Sequence, residues 1–239
     1  GEHFETLKTG SLLRQAVQSV DWSSTLYIRP GLFQYELGWP DQLVVRLIDK
    51  ENMKISLRGG MIFRAADDGI LLGYNVQADA WMRFGGSAGG SVGVALEATL
   101  QARLVARLIA YMSRQLQGSL VYGLVSLDAS ITFSVRAWMK VDLRFTSFTI
   151  RISFSYSLQL SAAVELAVQL DNVGARVAAR VAISVFGCTL GVSVGFSFND
   201  GIVDAARSRV QRFLEMSLTN EQPDTPPLIG TSTGDQRVD

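Results

Sequence analysis

Residues 126–171 read SLDASITFSVRAWMKVDLRFTSFTIRISFSYSLQLSAAVELAVQLD, and apolar and polar side chains alternate along them almost without error. Over residues 127–145 every odd position is apolar, and the even positions are polar apart from Trp138. After Thr146 the parity flips, and Phe148, Ile150, Ile152, Phe154, Tyr156, Leu158 and Leu160 become the apolar set. Period two puts successive side chains on opposite faces, so the stretch is strand rather than helix, and the flip marks a hairpin or a bulge.

Working outward, residues 92–112 carry helix-forming Ala, Leu, Glu, Gln, Arg and Met, yet every even position is apolar. Packing on one face overrides propensity, so the pattern predicts strand. The long sheet then reads as four passes, 92–112, 120–145, 148–171 and 175–198, with breaks at residues 113–118, at Thr146-Ser147 and at residues 171–174. Parity changes within the last pass at Phe186-Gly187-Cys188, which predicts a bulge. A two-residue turn at Thr146-Ser147 sets Phe145 against Phe148 and Asp142 against Arg151. Carried further, that register opposes Asp128 to Glu165, so a bulge is expected before that end.

Before Val76 the strands are short: 25–28, 32–37, 42–48, 53–57, 61–64 and 71–74. Pro30-Gly31, Gly38-Trp39-Pro40, residues 49–52, Gly59-Gly60 and the hairpin signal Asp67-Asp68-Gly69 separate them. Leu12, Leu13, Ala16, Val17 and Val20 make a short helical pattern behind Ser11. Asp200 opens a second helix with Ile202, Val203, Ala206, Val210, Phe213 and Leu214 on one face. The expected architecture is mainly all-β, a long-stranded antiparallel meander curled or sandwiched against a sheet of shorter N-terminal strands, with a helix near each end. Three segments follow: an N-terminal helix and short-strand subdomain or lid (1–75), the long sheet with its C-terminal helix (76–219), and a flexible tail or linker (220–239) holding Pro223, Pro226 and Pro227.

Composition excludes several function classes. The chain has 239 residues, 48% hydrophobic, with Lys plus Arg and Asp plus Glu equal at 22 each. Without a basic run, nothing favours nucleic acid. The one cysteine, Cys188, allows no intrachain disulfide. No apolar run reaches the ~18 residues of a membrane helix, and no signal-peptide pattern is present. The chain begins at Gly1 rather than Met, which fits a processed product or a segment of something longer; its localisation is unknown.

Catalytic chemistry finds no carrier. Two stretches match the nucleophile-elbow pattern, around Ser87 and Ser193, but the elbow needs strand, sharp turn, helix and a His partner. The single histidine, His3, lies near the N-terminus. The Gly-rich run 85–90, which is expected to break the chain before residue 92, lacks the Lys-Ser/Thr of a phosphate loop. His3 and Cys188 have no second soft ligand, Asp67-Asp68 reads as a turn, and Asp128, Asp142, Glu165 and Asp171 are scattered. No enzyme, cofactor or metal site is expected.

The long strands carry the functional clue. Their apolar face is on the order of 1,500 Å², well beyond the ~300–600 Å² that monomers expose, and the C-terminal helix could cover only about 240 Å². The expected protein is therefore a structural β-subunit of a larger assembly, of the phage-tail, injection-apparatus or surface-filament type, completed by protein partners or self-association. The alternatives are a carrier of lipid in an apolar groove and a membrane-inserting barrel. The candidate contact residues are Trp81 and Trp138, large apolar side chains at polar-face parity.

Overall fold

The computed structural model describes residues 19–115, 118–143, 146–170, 172–218 and 232–237. Among these residues eleven strands build one antiparallel sheet: β1 Ser19–Arg29, β2 Leu32–Leu37, β3 Leu43–Lys50, β4 Met53–Ala66, β5 Gly69–Gly89, β6 Val92–Ser113, β7 Leu120–Leu143, β8 Thr146–Gln169, β9 Asn172–Val185, β10 Cys188–Phe198 and β11 Ser232–Arg237. A helix, α1 Asp200–Leu218, follows β10. The strand order is β10-β9-β8-β7-β6-β5-β4-β2-β1-β11, with β3 paired to both β1 and β4. From β4 to β10 each strand neighbours the next in sequence, which is the long-stranded meander the alternation predicts. Residues 92–112 are strand, in β6. The hairpin at Asp67-Asp68 sets Met61 opposite Tyr74 and Arg64 opposite Leu71, matching the expected pairing of 61–64 with 71–74.

Three expectations are corrected. The last pass does not bulge. Phe186 and Gly187 both take positive φ, 51° and 81°, as a type I′ turn requires, and Val185 faces Cys188 across a hairpin. A bulge and a two-residue turn flip parity alike, which is why the pattern alone did not separate them. Second, Leu143 faces Thr146, so Thr146-Ser147 open β8 and the β7–β8 connection lies before them. Trp138 then opposes Arg151, Val141 opposes Phe148 and Asp142 opposes Ser147. This register sets Asp128 against Ser161 and Glu165 against Leu124, so the carboxylates never meet and the ladder needs no bulge. Third, Gly59-Gly60 and residues 85–88 lie inside β4 and β5 rather than breaking them.

The glycines of β4 and β5 make room for a loop. β2 and β3 occupy one strand position along β4, interrupted by residues 38–42. That loop folds across β4, where a Cβ on Gly60 would sit 2.2 Å from the Gly38 carbonyl oxygen. A Cβ on Gly73 would sit 2.7 Å from the Trp39 ring. Trp39 is 3% exposed. Asn75 donates to the Pro40 carbonyl oxygen at 3.0 Å, and Arg107 Nε donates to Asn75 Oδ1 at 3.2 Å, so the loop is tied to β5 and β6.

β5 runs unbroken through residues 75 and 76, and the short N-terminal strands continue the same sheet edge to edge. The expected N-terminal helix lies outside the described residues except for Val20, which is in β1. Of the expected tail, residues 232–237 are described, as β11 along β1.

Candidate functional site: a charge-free wall backed by a charged trough

In an antiparallel pair, directly opposed residues share a face. The β5–β6, β6–β7, β7–β8, β8–β9 and β9–β10 ladders run without a slip, so parity assigns each side chain. Every charged residue of β4 to β10, from Lys54 to Arg180, falls on one face, and the other carries none. No described element packs on that charge-free face. Its large side chains stand open to solvent, among them Leu104, Leu108, Ile152, Leu166, Ile183 and Val192.

The charge-free wall is graded along the strands. One cross-strand row holds Phe84, Ala98, Phe133, Tyr156 and Val185, with Phe133 stacked on Tyr156 at 4.8 Å between centroids. Ten residues away along β7, another row holds Met61, Tyr74, Leu108, Gly123, Leu166, Ala175 and Phe198. Phe63 and Tyr35 stand just beyond it. Between the rows the side chains of β5 to β9 are Ala, Val, Leu, Ile and Met. Beyond the first row the charge-free face continues over β5 to β8 as a tongue ending near Val92, Met139 and Phe148.

The opposite face curls into a trough of about 640 Å³, lined from Lys54 and Ser56 on β4 to Arg180 and Ala182 on β9. Across its floor Ser56, Asp79, Arg103, Asp128, Ser161 and Arg180 lie in register. Arg103 Nε donates to Asp79 at 2.8 Å and Gln77 Nε2 at 2.7 Å. Burial pushes the Asp79 carboxyl up, but these two donors outweigh it and hold it below its usual value.

Helix α1 lies on the same face as the trough. The sequence reading set it against the apolar wall; it packs on the other face, where polar-parity positions turn apolar. Val203, Ala206, Val210 and Leu214 form a core with Ile109, Tyr111, Leu120, Tyr122 and Ala167. The helix crosses the sheet inward from β9: Arg176 pairs with Asp200 and Asp204, Arg207 pairs with the buried Glu165 of β8, and Arg209 donates to the Gly118 carbonyl before β7. Tyr122 donates to Glu165 at 2.9 Å. Burial first, then the Glu165 bond and charge, push the Tyr122 hydroxyl above its ordinary pKa, and burial and Asp68 do the same for Tyr111. Folded tyrosines that hold their protons more tightly lose stability as pH rises past the unfolded value of ~10. Denaturation midpoints should therefore fall above about pH 10, and Tyr122→Phe should flatten the fall.

The residues singled out by sequence do not converge. Ser87 lies on β5 opposite Ala95 and leads through Gly90-Ser91 into a strand, so it is no nucleophile elbow. Ser193 lies within β10, Cys188 is exposed at that strand's start, and Asp67-Asp68 form the β4–β5 turn. Asp68 accepts from Tyr111 and Arg64. His3 and Asp171 lie outside the described residues. Among the described residues no group of three His, Cys, Asp or Glu could hold a metal, and no helix is long and apolar enough to cross a membrane.

Trp81 and Trp138 are both on the charged face. Trp81 lines the trough. Trp138 lies over Gly93, its cross-strand neighbour, where a Cβ would meet the indole at 2.3 Å, and its Nε1 donates to the Gly90 carbonyl at 3.2 Å. A tryptophan facing a glycine across two strands is the signal that the alternation obscured. Trp138→Ser bares the glycine and should cost about 1–2 kcal/mol in stability. Oligomer size measured on the same samples separates this local role from a contact role.

The chain matches no protein-family model, no curated protein and no solved structure.

Proposed function

We propose that this chain is a non-catalytic, wall-forming subunit of a larger assembly, whose charge-free face is covered by a protein surface. The observation that carries the reading is the length of that face. β5 to β8 have 21, 22, 24 and 24 residues. At ~3.3 Å per residue and ~4.8 Å between strands these four alone present on the order of 1,400 Å², more than twice what monomers leave exposed. A strand of 24 residues tilted ~45° still rises about 55 Å, against a hydrocarbon layer of ~30 Å. A bilayer would leave the tongue bare, whereas a protein partner can match the full length. The trough, with its Arg103–Asp79 ion pair and its serines, is the solvated side.

The aromatic rows favour a second reading, a sheet set in lipid. Ten residues at ~3.3 Å, tilted ~40°, make a band of about 25 Å, the height that aromatic girdles flank in membrane barrels. A carrier with an apolar groove has less support, because the concave face is the charged one.

Native mass spectrometry of the purified chain, with organic extraction of the same sample, tests the two. Defined oligomers or a stoichiometric protein partner without lipid support the assembly reading. Stoichiometric lipid, or solubility only in detergent with transfer into vesicles, overturns it in favour of the bilayer.

A further inference from the structure

The two ends of the sheet differ in a way that points to a partner. One end is β11, six residues long and carrying Asp235 and Arg237. Short length and charge are how proteins keep edge strands from pairing. The other end is β10, CTLGVSVGFSF, eleven residues with no charge, no proline and no bulge. Its apolar side chains are among the most exposed on the molecule, with Leu190 at 80% and Val192 and Val194 at 71%. Among the described residues β9 is its one ladder neighbour, and no described strand lies opposite the outward half of its backbone donors and acceptors. Helix α1 leaves directly after β10 and runs inward over β9, β8 and β7, so it does not cover this edge.

We propose that β10 pairs antiparallel with β10 of a second copy about a two-fold axis at Ser193. An isologous contact needs a self-complementary surface, and this strand is nearly palindromic about that residue. With Ser193 facing its own counterpart, Val192 meets Val194, Gly191 meets Gly195, Leu190 meets Phe196, Thr189 meets Ser197 and Cys188 meets Phe198. Apolar residues oppose apolar residues on the charge-free face, and small residues oppose small ones on the trough face. The pairing keeps both faces continuous from copy to copy, because opposed residues have the same parity. No like charges meet, since the strand has none. The dimer is a single sheet with twice the wall and a trough in each half. This contact uses an edge, not the apolar face, so it stands whether protein or lipid covers that face.

Cysteine cross-linking reads the register. In a Cys188→Ser background and a mild non-ionic detergent that coats the apolar face, Ser193→Cys brings two thiols together on the axis. Directly opposed Cα atoms at ~4.5–5.5 Å suit a disulfide. Thr189→Cys faces Ser197 instead, and its own counterpart lies about 27 Å away along the pair. Oxidation with diamide should link the Ser193→Cys protein into a dimer at least ~10-fold faster than the Thr189→Cys protein, because opposed thiols have a high effective concentration. Sedimentation of the Cys188→Ser parent should show a dimer in the same detergent. A monomer that fails to cross-link at 193, or equal cross-linking at 189 and 193, overturns the pairing.

Discussion

Trp39→Ala is expected to lower the unfolding free energy by about 3–5 kcal/mol, the usual cost of emptying a large aromatic site. Trp39 is the keystone of the join between the short strands and the long meander. Its ring lies against Ile62 and the bare backbone of Gly73, and its loop crosses Gly60. Those glycines cannot close the gap, because they have no side chains to move into it. Trp39→Phe should cost much less, about 1–2 kcal/mol, since an aromatic ring remains. The Trp39 Nε1 is buried without a hydrogen-bond partner among the described residues, so losing it forfeits no bond there. Urea denaturation of the three proteins measures the order. A loss for Trp39→Ala no larger than for Trp39→Phe would show that the loop is not packed as described.

A single charge on the wall should separate folding from assembly. Leu127 lies mid-strand on β7, opposite Leu104 and Ala162, and is more than a third exposed in the isolated chain. Leu127→Arg therefore leaves the free chain folded, with a stability change near 1 kcal/mol or less. Against a covering surface the same guanidinium is an unpaired buried charge that costs about 3–5 kcal/mol, weakening assembly by roughly 10²- to 10³-fold. Thr132→Arg places the same charge on the solvated face and should assemble as the parent does. Thermal melts and sedimentation on both variants check the pair of outcomes. A large loss of stability in Leu127→Arg with unchanged assembly would make Leu127 ordinary core.

The period-two runs made the strands and their faces legible, because burial on one side imposes parity on every residue of a long strand. Parity says nothing about which two residues turn. A register shifted by two or four residues produces the same flip, and only the whole ladder, which sets Leu143 against Thr146 and keeps Asp128 away from Glu165, decides between them. The seat of α1 was legible in principle. In residues 108–112 and 120–125 both parities are largely apolar, as in strands covered on two faces. Reading only the alternation hid it. Glycine was the least legible residue. Gly60 looks like a break along the chain and Gly73 like any strand residue, and their purpose appears only when Trp39 arrives from more than twenty residues away in sequence. The wall and the trough themselves follow directly from the alternation, but the sequence contains no cue for what covers the wall.

The most direct test of the central claim is the water accessibility of spin labels placed one at a time at residues 127–132 of β7 in the assembled protein. Labels at 127, 129 and 131 should be shielded from a water-soluble relaxation agent, while those at 128, 130 and 132 face the trough and remain accessible. Equal accessibility at odd and even positions would contradict the account, because a wall open to water on both sides has no partner.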